Sequence, residues 1–160
     1  MNHLVDEQAL ILKTRQLLDA LSKFKEVLQQ ESNILKKFNI ETLPELLEKK
    51  SALSETIEAS FKQFNLCLGS ETPKTLDAWL ESDIFPTLSK ELQKSFKKLI
   101  ALTNECHDMN MANGMTVQTL NNINQVSLNI LTGQTSPSSQ VYGASGERQK
   151  SKMQTSLGKA

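Results

Sequence analysis

Four residues in this chain have side chains suited to covalent or metal chemistry: His3, Cys67, Cys106 and His107. Cys106 and His107 are adjacent, and neighbouring residues on a helix point about 100° apart, so they cannot work as a nucleophile and its base. The favoured reading is a small core cysteine beside a surface histidine. Two His and two Cys spread this way offer no zinc spacing, and the paired Glu-x-x-His motifs of helical di-iron bundles are missing. The six glycines lie at expected helix ends, inside one Asn-Gly step or in the C-terminal tail, which leaves no glycine-rich phosphate loop. A histidine phosphotransfer domain needs a single exposed His, and His107 is the one candidate. Its neighbours Asp108 and Met109, with no lysine close by, disfavour that use. The residues therefore predict no catalysis and no cofactor or metal, and the question becomes what the chain binds.

The elements that would position a binding surface are helices. Leu, Lys, Glu, Gln, Ser and Asn dominate, and strand-type alternation is absent. Thr14, Leu17, Leu21, Phe24, Leu28, Glu31, Leu35 and Phe38 recur in steps of three and four, predicting a first helix over residues 6–38, roughly 50 Å long. Asn39, Ile40 and Glu41 read as a short turn. Thr42-Leu43-Pro44-Glu45 has the form of a capping box with proline in the first turn. A second helix to about Leu68 follows, burying Leu46, Leu53, Ile57, Phe61, Phe64 and Leu68, with Gly69 as its stop. So short a connection makes the two helices antiparallel neighbours. Glu31 and Lys50 interrupt facing apolar seams. They could pair, but the favoured reading puts them near the bundle's edge, setting register or reaching water. Thr72-Pro73 can open a short helical turn holding Leu76, Trp79 and Leu80, with Trp79 plugging the end of the bundle.

A third helix is expected from Asp83 or Pro86 to Leu131, closed by Thr132-Gly133. Its seam begins as Leu88, Leu92, Phe96, Leu99, Leu102 and Cys106. It continues as Asn110, Asn113, Val117, Leu120, Asn124, Ser127 and Leu131. Asn113-Gly114 is locally a turn signal, yet the periodicity resumes in register, so the helix is kept continuous. The predicted fold is all-α: an elongated antiparallel bundle or coiled coil of three main helices over residues 1–131, then a disordered tail over residues 132–160.

Net charge is zero, with 18 basic and 18 acidic side chains, which argues against bulk nucleic-acid binding. No apolar run approaches the roughly 20 residues of a membrane span. Residues 1–7 lack the pattern of a signal peptide, so the expected location is cytoplasmic. The balance is uneven along the chain, because no charge occurs between Asp108 and Glu147. A solvated helix face normally carries Lys and Glu. Either the rest of the bundle encloses this stretch, or it is a partner surface offering amides and adaptable Met, Val and Leu side chains. On physics alone the two readings weigh equally.

Several motifs carry a family resemblance. Leu28-x-x-Glu31-x-x-x-Leu35, Leu43 to Leu47, Lys50-x-x-Leu53, Asn110-x-x-Asn113-Gly114 and the tail Tyr142-Gly143-x-x-Gly146 together resemble the FlgN family of flagellar type III export chaperones. The resemblance implies a non-enzymatic cytoplasmic chaperone. It would bind the C-terminal helical region of hook-associated (hook–filament junction) proteins, keep them unpolymerised and deliver them to the export gate. It places cargo on the second half of the third helix, with Asn110, Asn113, Gly114, Val117, Leu120, Asn121 and Asn124 as expected contacts. It places the export-gate contact at Tyr142 and Gly143. The competing readings are a generic coiled-coil assembly protein and, behind it, the phosphotransfer domain using His107.

Overall fold

A computed structural model describes residues 6–69 and 74–133. Among these residues there are four α-helices and no strand: α1 (Glu7–Lys37), α2 (Leu43–Cys67), α3 (Leu76–Leu80) and α4 (Lys90–Thr132). The all-α expectation holds. The chain forms two compact units, residues 1–119 and residues 120–160.

In the first unit, α1 begins where Asp6 accepts the backbone N–H groups of Gln8 and Ala9 at 3.1 and 3.2 Å. That cap satisfies two of the helix's unpaired donors. Glu7 in the first turn and Lys36 and Lys37 in the last oppose the helix dipole. Phe38 ends the helix in a left-handed conformation, φ 55°, while the Asn39 N–H reaches back to the Ile34 carbonyl. That bond sequence turns the chain sharply into a single 3₁₀ turn, Ile40–Thr42, from which α2 starts directly. The predicted capping box is not formed. Thr42 already has helical dihedrals and makes no side-chain cap bond, and Glu45 pairs with Lys49 at 2.8 Å. The turn predicted at residues 39–41 therefore feeds α2 without the break in backbone that a cap requires.

Helices α1 and α2 run antiparallel, fastened by Lys13 to Gln63 near one end and Glu31 to Lys50 near the other. Buried Leu10, Leu17, Leu21 and Leu28 of α1 meet Phe64 of α2 and Leu92, Phe96, Leu99 and Cys106 of α4. Phe61, Phe64, Phe96 and Phe85 form a chain of ring contacts with centroids 5.1–6.1 Å apart. Thr14 sits fully inside, tolerated because its hydroxyl donates to the Leu10 carbonyl at 2.8 Å. Leu53, Ile57 and Phe61 are only half-buried. A cleft of about 440 Å³ opens beside them, floored by Leu17, Leu21 and Ile100.

Trp79 is buried as expected, its indole N–H donating to the Asn65 side-chain oxygen at 2.9 Å. The same oxygen accepts the Lys74 backbone N–H, so Asn65 ties the segment after α2 back onto it. Thr72 and Pro73 lie outside the described residues, and the cap of α3 is Thr75, which accepts from the Ala78 N–H. The third long helix starts later than either expected position. Pro86 belongs to a separate 3₁₀ turn, Phe85–Thr87, and Leu88 is extended, so α4 opens only at Lys90.

Candidate functional site

The proximal part of α4 runs parallel to α1, as four contacts show. The Ser89 N–H donates to Glu7, and Cys106 to the Leu21 carbonyl. Lys25 pairs with Glu105 at 2.7 Å, and the Asn113 amide donates to the Leu28 carbonyl at 2.9 Å. The Glu7–Ser89 and Glu31–Asn113 contacts share a sequence offset of 82. Carried to Lys37, the last residue of α1, that offset reaches Thr119, the last residue of the first unit.

Asn113 is the last buried residue of α4. Its amide nitrogen also donates to Glu31 at 2.8 Å, and Lys50 donates to both carboxylate oxygens of Glu31 at 3.0 and 2.9 Å. The edge reading of Glu31 and Lys50 is thereby corrected: Glu31 is 3% exposed and the two side chains pair. A buried carboxylate is tolerable only when paired and hydrogen-bonded, and here an amine and an amide together supply three donors. Three helices meet at this point, each contributing one polar group.

Beyond Asn113 the burial stops. Helix α4 continues through Gly114, as the resumed periodicity predicts, and a β-carbon built on Gly114 would meet nothing within 4 Å. Asn110, Gly114, Asn121 and Asn124 are exposed, while Val117 and Leu120 are half-buried. At 3.6 residues per turn these six and Asn113 fall within an arc of about 120°. It continues the face on which Leu92, Phe96, Leu99 and Cys106 enter the core. Helical spacing gathers the predicted contacts on one side of α4, Asn110, Asn113, Gly114 and Val117 in the first unit and Leu120, Asn121 and Asn124 in the second. The Asn113 amide is committed to Leu28 and Glu31. Leu128 and Leu131, 58% and 83% exposed, extend the same face and were not among the predicted contacts. Leu131 was visible as a seam member, and Leu128, four residues after Asn124 and three before Leu131, has the same spacing, which the seam reading passed over for Ser127.

Tyr142 and Gly143 lie outside the described residues. Cys106 is buried and His107 exposed, as expected for a core cysteine beside a surface histidine. Burial pushes the Cys106 thiol up from its ordinary pKa. Among the described residues no cluster of three or more His, Cys, Asp or Glu could hold a metal ion, and no helix is long and apolar enough to cross a membrane. The geometry offers a helix with an unusually apolar, uncharged distal half, anchored by a polar cluster at its midpoint.

The family described as FlgN protein matches residues 1–150 of the chain. No curated protein and no solved structure matches it. The match spans both units and most of the tail, and the chain belongs to the FlgN family of flagellar export chaperones.

Proposed function

We propose that the distal half of α4 captures the C-terminal amphipathic helical region of hook-associated flagellar proteins in the cytoplasm, holding them unpolymerised. The tail, through Tyr142 and Gly143, then presents them to the export gate. The observation that carries this reading is the uncharged face of α4, where apolar side chains are exposed among the described residues. The largest apolar residues there include Leu128 and Leu131. A helix apolar on several sides is normally enclosed, and an exposed one marks an interaction surface. Val117, Leu120, Leu128 and Leu131 supply the apolar anchors. Asn110, Asn121 and Asn124 supply amides for the cargo's polar edge, and Asn113 holds the base of the face in place.

The test is a titration with a synthetic peptide from the C-terminal helix of a hook-associated protein. Val117→Asp with Leu120→Asp is expected to weaken binding at least tenfold while helicity stays unchanged. Unaltered affinity would sink the proposal.

A further inference from the structure

The first unit has an incomplete stretch of core that the cargo face does not explain. Helix α2 buries Leu46 near its start and Phe64 and Asn65 near its end, and nothing between them. Ile57 and Phe61, expected in the core, are half-buried because they line the cleft of about 440 Å³. Leu17, Leu21 and Ile100 floor that cleft, and Leu76 of α3 lines it too. Its volume is in the range of pockets that hold a ligand. Helix α3 supplies an example of what packs beside it. Leu76 and Trp79 are buried in one cluster with Phe64 of α2 and Phe96 of α4. A single helical turn thus sets two large apolar side chains among the long helices, and Leu76 marks where that packing gives way to open space.

We infer that the cleft receives a basic amphipathic helix of a partner protein, whose apolar side chains continue the packing that Leu76 begins. Two observations select this occupant. The first is the precedent within the chain, since α3 fills the neighbouring space with helically spaced apolar anchors, the mode by which grooves take up amphipathic helices. The second is charge. Of the side chains that line the cleft, Glu58 and Asp77 are charged, and no lysine or arginine is among them. Both carboxylates are exposed, so they stand at the rim rather than on the floor. Lysine or arginine beside the incoming anchors would complement them, and acidic flanks would be repelled. Rim charges of this kind govern the choice of partner more than the affinity, which the apolar anchors carry. The site is separate from the cargo face, because no lining residue lies beyond Asn104 and the proposed cargo contacts begin at Asn110.

Two synthetic helical peptides test this, sharing one apolar face of Leu and Phe and flanked either by Lys or by Glu. In anisotropy titrations with the full chain, the Lys-flanked peptide is expected to bind about tenfold more tightly. Ser54→Trp, at an exposed lining position, fills the cleft and should weaken that binding about tenfold. Circular dichroism checks that the variant keeps its helices. Glu58→Gln with Asp77→Asn should bring the two peptides within about twofold of each other. Equal affinity or no binding, a Lys preference that survives the neutral variant, or binding that survives Ser54→Trp overturns the inference. Val117→Asp with Leu120→Asp, which reports on the cargo reading, should leave the Lys-flanked peptide bound as before. Loss of its binding in that variant would move the peptide to the distal half of α4 and overturn the inference as well.

Discussion

Glu31 shows how a residue that breaks a sequence pattern can be the one that organises a structure. In the linear seam it reads as a flaw between Leu28 and Leu35, and hydropathy assigns it to an edge. Only the meeting of α1, α2 and α4 brings Lys50 and Asn113 to it, and a single-helix pattern contains no information about a third helix. Removing one partner of a buried pair leaves the other charge without compensation, whereas replacing both by apolar residues restores packing. Lys50→Met is therefore expected to destabilise the protein by about 3 kcal/mol. Glu31→Leu with Lys50→Met should recover much of that loss, as read from urea unfolding monitored by circular dichroism. Equal destabilisation by the single and double substitutions would show that the pair contributes nothing beyond local packing.

At the scale of elements, the long helices were legible because their apolar spacing persists over many turns. The failures came where short-range bonding decides. Thr42 carries the composition of a cap but sits in a 3₁₀ turn that leaves it helical, and the start of α4 was displaced by a separate turn at Pro86. The continuity of α4 across Asn113-Gly114 was legible, because a helix already committed on both sides overrides a local turn preference. Gly114 still weakens that continuity, since glycine in a helix interior costs about 0.5–1 kcal/mol relative to alanine. Nothing in the surroundings requires its small size. Gly114→Ala is accordingly expected to slow amide hydrogen exchange over residues 115–131, up to about fivefold if exchange follows local opening of the distal helix. Unchanged exchange would show that the distal segment does not open through this position.

For the whole molecule, neutrality conceals a division of labour along the sequence. Residues 1–131 hold 14 basic and 17 acidic side chains, and residues 132–160 hold four basic and one acidic. The acidic helical part, the uncharged docking stretch and the basic tail follow one another in chain order. On the proposed function such a layout would separate cargo capture from delivery, with Tyr142, the only tyrosine, in the delivery segment. Tyr142→Ala is expected to leave cargo-peptide affinity within twofold while reducing secretion of hook-associated proteins in cells. Loss of both together would place the tail in the cargo site. The role of the charge-free stretch was only half legible. Composition singled it out, but the exposure of its apolar side chains is not something hydropathy alone gives.

The shared offset between α1 and α4 makes the first helix a ruler for the binding surface. Within the first unit, the stretch of α4 that α1 can cover is set by the point at which α1 turns back at Phe38. One heptad removed from α1, matched by one from α2, would uncover about 10 Å of α4 within the first unit. If α4 binds cargo as proposed, its capacity would then be tuned by the length of α1, a helix outside the proposed contacts.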